Sequence, residues 1–434
     1  MKTTILERPR AIALSRDVER GPLLGRFAER LVRGRLAKLT DGAVLLHDHG
    51  RVTRFGDPQY SGSLVASVHV RDPRFYTELA FGGSVGAGEA YMLGYWTVDD
   101  LTALVRILVR NRDALDGIDS GIARLQLPLQ KALHWTARNT RRGSQRNIAA
   151  HYDLSNPFFA LMLDPTMMYS SAVFDRPGMT LEDGSIAKLE QVCRKLDLGP
   201  TDHVLEIGTG WGGFALHAVR NYGCRVTTTT ISRRQYELAV ERIAAAGLSD
   251  RITVLLADYR DLTGAYDKLV SIEMIEAVGH RYFATFFGKC SSLLKPEGMM
   301  LLQAITIADH RYEAALRSVD FIQKYIFPGC CIPSVGAMSA AVAAATDMRI
   351  FHLEDIGPYY ATTLRAWREN VFARRDEVRA MGLDDAFLRM WEFYLCYCEG
   401  GFAERALGDV QMLMVKPGAR PAPLAPRLPA SAGR

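Results

Sequence analysis

The sequence predicts an α/β protein, with a mainly parallel seven-stranded sheet carrying helices on both faces, preceded by a smaller α+β unit. Three observations carry this. From about residue 148 onward, short β-branched runs alternate with helix-length stretches, the pattern of a doubly wound parallel sheet. One run, Val204-Leu205-Glu206-Ile207, breaks into Gly208-Thr209-Gly210-Trp211-Gly212-Gly213 and then a helix-like stretch to Tyr222. Such a strand, tight turn and helix N-terminus form a nucleotide-binding corner. At 434 residues the chain also exceeds one average domain, so a second unit is expected.

The elements follow in order. Residues 1–130 form the first unit. Within it Leu23, Leu24, Phe27, Leu31 and Val32 share one face of a helix, while Arg26, Arg30, Arg33 and Lys38 lie largely elsewhere. A basic amphipathic helix of this kind suits a membrane surface or inward packing against its own domain. Strand-like runs come next at 44–47, 51–55 and 64–70, then a glycine-rich stretch at 82–88; no catalytic constellation stands out. Residues 131–147, with Lys131, Arg138, Arg141, Arg142 and Arg146 and no acid, read as an exposed basic linker. The catalytic domain is expected over 148–415. Its strands are predicted at 203–207, 225–231, 252–256, 268–273 and 299–305, with late ones at 349–354 and 409–415. Ser232-x-x-Gln235 reads as a capping box opening a helix that reaches Ala246. The segment 416–434, rich in Pro, Ala and Arg, reads as a disordered tail.

Composition excludes several classes. Hydrophobic content of 48% and charged content of 23% describe an ordinary globular chain. No apolar run has transmembrane length and the start lacks a signal-peptide core, so a cytoplasmic location is expected. The seven cysteines form no C-x-x-C pair, which argues against structural zinc and against a disulfide framework; no metal is expected. The net charge of +5 is concentrated near the N-terminus, in the linker and in the tail. Such patches suit an anionic surface, either nucleic acid or phospholipid, or are plain solvated faces and linkers; no aromatic-interleaved basic motif supports nucleic acid.

Two nucleotides compete for the glycine turn. Gly208-x-Gly210-x-x-Gly213 fits a dinucleotide fingerprint, which also wants an acid at the end of the next strand. That strand, Arg225 to Ile231, ends without one; the acid is Glu206, ahead of the first glycine. A carboxylate there pairs with the cationic amino-acid end of S-adenosylmethionine (SAM) and repels a pyrophosphate. A tight turn with no ligand is the bland alternative. In open α/β sheets ligands lie beyond the strands' carboxyl ends. Those ends carry Glu206 and Gly208, Thr230 and Ile231, Asp258 and Tyr259, Glu273 and Glu276, and Gln303 and Ile305. Asp258 is placed to accept from an adenine amino group, or simply to cap a turn. Two acids three apart, Glu273 and Glu276, are costly at a strand end unless paired or functional.

Read together, the motifs make the chain similar to the cyclopropane-fatty-acyl-phospholipid synthase family of SAM-dependent methyltransferases. They are HYDLSNPFF at 151–159, MMYSSAVF at 167–174, LEIGTGWGG at 205–213, ISRRQ at 231–235, DYRDL at 258–262, EMIEAVGH at 273–280, KYIFPGCCIPS at 324–334, YYATTLRAW at 359–367 and YLCYCEGGF at 394–402. The resemblance implies a Rossmann-like domain in which Tyr169, Ser170, Glu206, Gly208, Gly210, Gly212, Thr230, Ile231, Gln235, Asp258 and Tyr259 contact SAM. It also implies a bicarbonate ion held by Ser171, Glu276, Gln303, Ile305, Tyr360 and Cys398; by pattern alone Tyr360 and Cys398 read as buried core. The chain departs from the family with Thr209 and Ser171 where Cys is common, and with Gln303 where some members carry His. Glutamine donates a hydrogen bond but takes no proton at neutral pH. The implied reaction adds a one-carbon unit to the cis double bond of phospholipid acyl chains, with closure to a cyclopropane or, alternatively, a methylene- or methyl-branched chain. Aromatics at 321–327 and 391–397 could line an apolar tunnel. The implied partners are unsaturated phospholipid and the inner membrane face, with a homodimer allowed.

Overall fold

The computed structural model describes residues 22–57, 64–115 and 155–424. The basic linker 131–147 lies outside the described residues, as do 151–154 of the first motif. The chain divides into two compact units. The first comprises the described part of Met1–Leu163 with Ile307–Cys331 and Gly357–Gly408; the second comprises Asp164–Thr306, Ile332–Ile356 and Asp409–Arg434. This division is not the linear one expected from the sequence, because two segments within 148–415 group with the N-terminal part.

In the first unit, β1 (Gly42–Asp48), β2 (Arg51–Asp57), β3 (Val65–Val70) and β4 (Trp96–Val98) make a four-stranded sheet in the order β2-β1-β3-β4. β1 and β2 form an antiparallel hairpin, and β3 runs parallel to β1. The helix Pro22–Leu36 buries Ala28 and Val32 but leaves Leu23, Leu24 and Phe27 exposed, so only part of the expected apolar face turns inward. The glycine-rich stretch 82–88 belongs to the helix Arg74–Met92, which kinks at Gly83. The helices Gly357–Ala373 and Asp385–Ala403 carry the late aromatic motifs in this unit.

The second unit holds the strands β5 (His203–Ile207), β6 (Arg225–Thr230), β7 (Ile252–Leu256), β8 (Tyr266–Ile272), β9 (Leu294–Ile307), β10 (Arg349–Asp355) and β11 (Leu407–Val415), the end residues of β9 and β11 excepted. They order as β10-β11-β9-β8-β5-β6-β7. The pairs β5–β6, β6–β7, β5–β8 and β8–β9 are parallel, and β10–β11 is antiparallel. All seven strands match the predicted positions, with β8, β9 and β11 starting earlier. Val204, Leu205, Val226, Leu269, Val270 and Leu301 are almost wholly buried, as strands covered on both faces require. Lys416 N–H and Gly418 N–H donate to Gly298 O and Pro296 O, each at 3.0 Å, and Ala419 is buried. The tail read as disordered is therefore tied down at its start; 425–434 lie outside the described residues.

The glycine turn is locked against a neighbouring segment. A Cβ on Gly213 would lie 2.6 Å from both Thr166 O and Met168 Sδ, so the helix Gly213–Tyr222 starts where only glycine fits. Gly213→Ala is expected to cost about 1–3 kcal/mol by overpacking, despite alanine's better helix propensity. A lowered chemical-denaturation midpoint checks this, and adding Met168→Ala should recover only part of the loss, because the carbonyl clash persists.

Candidate active site

The turn after β5 folds around left-handed glycines: Gly208, Gly210 and Gly212 have φ of 108°, 52° and 85°. Gly208 N–H and Thr209 N–H both donate to Thr229 O at 3.0 Å, stitching the turn to β6. Thr209 fills the position of the expected cysteine and accepts from Thr228 Oγ1 at 2.7 Å. Glu206 is buried on β5, and its Oε2 has no hydrogen-bond partner. Burial pushes its carboxyl up to about 8, against the opposing pulls of Thr228 and Lys188.

The other expected SAM contacts collect at the ends of the same strands. Thr230 Oγ1 donates to Gln235 Oε1 at 2.8 Å and accepts from Ser232 N–H at 3.1 Å. Ser232 Oγ caps its helix by accepting from Gln235 N–H at 3.3 Å, but the Gln235 side chain is turned to Thr230, so only half of the predicted capping box forms. Ile231 lies between Thr230 and this cap. Asp258 caps the turn Tyr259–Asp261, and both its oxygens hold Arg260, at 2.8 and 2.6 Å. The capping alternative is thus present. The Tyr259 ring meets Phe286 edge-on at 5.4 Å.

Tyr169, Ser170 and Ser171 lie in an irregular segment before the helix Leu181–Lys195. Ser170 Oγ accepts from Lys188 Nζ at 2.6 Å. Lys188 is completely buried, and that burial lowers its ammonium to about 8, resisted by Glu273, Asp409, Asp164 and Glu206. Pattern reading missed this lysine. The available signal was its place on the buried stripe Ser185, Lys188, Leu189, Val192, at helical spacing among apolar neighbours.

Beyond β8 the two acids turn back onto the sheet. Glu273 has φ of 47°, unusual for a non-glycine residue. Its Oε1 accepts from Ser171 N–H and from Gln303 Nε2, both at 2.8 Å. Glu276 Oε1 accepts from Ile305 N–H at 2.7 Å, while Oε2 is fully shielded and without a partner. Burial first, then the neighbouring Glu273, pushes Glu276 up to about 8. Gln303 Nε2 also donates to Asp409 Oδ2 at 3.0 Å, and Gln303 Oε1 accepts from Gln411 Nε2 at 3.1 Å. Asp409 is held well above the ordinary aspartate value by burial and by Glu273 and Glu276. Asp409 and Gln411 also escaped sequence reading. Their signal is two polar residues, two apart, in the otherwise apolar run of β11.

The structure thus brings Ser171, Glu276, Gln303 and Ile305 together in the second unit. The backbone donors of Ser171 and Ile305 are engaged by Glu273 and Glu276. Tyr360 and Cys398 belong to the first unit. There Tyr360 is buried and stacks on Phe402 at 4.3 Å, and burial raises the Cys398 thiol. Of the aromatics proposed for a tunnel, Phe321 packs on Phe393 at 4.6 Å and Tyr325 holds Glu89. Among the described residues no group of three His, Cys, Asp or Glu side chains could hold a metal ion. Among them, too, no helix is long and apolar enough to cross a membrane.

Comparison with known proteins places this geometry among relatives. The family described as mycolic acid cyclopropane synthetase matches residues 139–412. A tuberculostearic acid methyltransferase of Mycobacterium tuberculosis is 36% identical over 92% of this chain and 94% of its own. A cyclopropane-fatty-acyl-phospholipid synthase of Escherichia coli K12 is 37% identical over 82% of this chain and 88% of its own. A solved cyclopropane synthase from M. tuberculosis superposes with a TM-score of 0.59 at 31% identity, covering 63% of this chain and 98% of that one. A mycolic acid cyclopropane synthase complexed with SAH and CTAB matches with the same TM-score at 32% identity, again covering 63% and 98%.

Glu206 and Glu276 both sit above the ordinary glutamate value of 4.5, at about 8. Their neutral forms favour the fold. That stability is complete below the unfolded value and is lost as pH rises through the interval up to about 8. Glu206→Gln or Glu276→Gln is expected to flatten the fall in melting temperature of the ligand-free protein between pH ~5 and ~8. Melting curves across this window check it; a steeper fall in the variants would contradict the buried-acid assignment.

Proposed function

This chain belongs to the mycolic acid cyclopropane synthetase family, and from that premise we propose that it closes cyclopropane rings on cis double bonds of phospholipid acyl chains. As a member it is a SAM-dependent methyltransferase that delivers a one-carbon unit to fatty acyl chains. The observation that supports the finer reading is the shielded acid Glu276, its Oε2 unpartnered, held beside Glu273 at the mouth of the glycine-turn sheet.

The roles follow from the residues. Glu206, Gly208, Gly210 and Gly212 form the cradle for SAM. Its ammonium group would complete the unpartnered Glu206 oxygen and favour the ionised form of that acid. Ser170, fixed by Lys188, and Tyr169 close the other side; Thr230, Ile231, Gln235, Asp258 and Tyr259 hold the nucleoside. The alkene π electrons form a bond to the SAM methyl carbon as the carbon–sulfur bond breaks, leaving the electron pair on sulfur. The carbocation left on the adjacent carbon of the acyl chain loses a proton from the new methyl as the ring closes. Bicarbonate, when bound, supplies a base there. Glu276 suits an anion because its neutral form offers an O–H from Oε2, with Ser171, Gln303 and Ile305 near it in the second unit. Gln303 supports the acid corner by donating to Glu273 and Asp409, since its amide takes no proton.

A methyl- or methylene-branched product is the second reading, favoured by the tuberculostearic acid methyltransferase that matches 92% of this chain. Docking on the inner membrane face is supported by exposed Leu23, Leu24 and Phe27 beside exposed Arg26 and Arg30 on one helix.

Host lipids after expression should gain one CH2 per modified chain and resist ozone cleavage; an ozone-cleavable product of that mass selects the methylene branch, an ozone-resistant product two hydrogens heavier selects the methyl branch, and no mass step overturns both readings. Glu276→Gln should lower turnover about 100-fold while calorimetric SAM affinity stays near wild type. Pelleting with anionic vesicles should fall as salt rises, and Leu23→Ser with Phe27→Ser should weaken it; salt-indifferent behaviour would count against docking.

A further inference from the structure

Resting on the methyl-transfer reading above, we propose that Lys195 and Gln411 form a relay that sets which way the Gln303 amide faces, making both positioning residues for the acid corner. A glutamine amide can sit in two orientations of nearly the same shape, and its neighbours decide between them. Here the decision starts at Lys195, the last residue of its helix, where an ammonium group can only donate. Lys195 Nζ lies 2.5 Å from Glu354 Oε2 and 2.6 Å from Gln411 Oε1. The Gln411 oxygen must therefore face the lysine, and its nitrogen faces away, donating to Gln303 Oε1 at 3.1 Å. With that oxygen taken, Gln303 Nε2 is left to donate to Glu273 Oε1 at 2.8 Å and Asp409 Oδ2 at 3.0 Å. Glu273 Oε1 in turn holds the Ser171 N–H.

Every bond along this line runs donor to acceptor in one sense, from the ammonium group to the carboxylates. The frame is fixed: Glu354 and Gln411 are register partners on β10 and β11, and Gln303 lies on the adjoining strand β9. Reversing the amides would set the Gln411 nitrogen against the ammonium and the Gln303 oxygen against Glu273 Oε1, which already accepts from the Ser171 N–H. Gln303 and Gln411 are both 0% exposed, so no solvent repairs that mismatch. The relay also gives Gln303 a task for which proton transfer is unnecessary: it delivers N–H groups to Glu273 and Asp409.

The test uses the full chain with SAM and vesicles of unsaturated phospholipid. Lys195→Met and Gln411→Met should each lower kcat roughly tenfold, equivalent to ~1.4 kcal/mol, with KM for SAM within about twofold. The double variant should be no slower than Gln411→Met alone, because both changes break one line. Gln411→Glu keeps the Lys195 contact but sets an oxygen against Gln303 Oε1, so kcat should fall at least as far as in Gln411→Met. Multiplied losses in the double variant, or wild-type kcat in Gln411→Glu, would overturn the relay. If the wild type itself transfers no carbon to acyl chains, the functional reading fails separately. Ligand-free denaturation midpoints then decide the relay: a double variant matching Gln411→Met supports it, and additive losses refute it.

Discussion

The second unit is organised by the burial of several acids around one lysine. Glu273, Asp409, Asp164 and Glu206 all attract the Lys188 ammonium group, which lies in the protein interior. Taking an ion out of water costs several kcal/mol unless partners and hydrogen bonds offset it. The chain meets that cost in three ways. Lys188 supplies a central positive charge. Glu206, Glu276 and Asp409 are shifted upward, so their neutral forms are favoured. Glu273 gathers donors from the Ser171 backbone and the Gln303 amide. The strand ends must lie where these bonds can form, and the same strand ends carry the glycine turn.

Strand positions were legible in the sequence because central parallel strands leave a simple trace: short runs rich in β-branched residues, bounded by turn residues. The glycine turn was legible because few residue types accept its backbone. The buried polar lattice was harder to see. Lys188 sits in a helix with several other charged residues, and only its place on the apolar stripe separates it from its exposed neighbours. Asp409 and Gln411 interrupt an apolar strand, but strand β11 alone does not reveal that Gln303 lies beside them. Asp258 illustrates the opposite case: its turn-capping role was visible locally, while its hold on Arg260 depends on how that turn folds. The compact units were illegible for a further reason. Segments 307–331 and 357–408 follow the sheet strands in sequence but group with the N-terminal part, and local pattern does not encode that return.

The strained backbone at Glu273 shows how rigidly the acid corner is built. A non-glycine residue in the left-handed region costs on the order of 1–3 kcal/mol. It persists here because Glu273 is fixed at both ends: its N–H donates to Gln303 O at 2.8 Å, and its carboxylate holds Ser171 and the Gln303 amide. Charge-assisted bonds of this kind contribute about 1.5–3 kcal/mol each, enough to offset the strain. The reversal at Glu273 then sends the chain into the short turn Ile275–Ala277, which returns Glu276 to Ile305 N–H. Gln303 and Ile305, two apart on β9, therefore fix the two acids from a single strand. One acid is consumed by internal bonds and the other keeps an oxygen without a partner. That asymmetry is why Glu276, rather than Glu273, is the acid proposed to meet an incoming ligand.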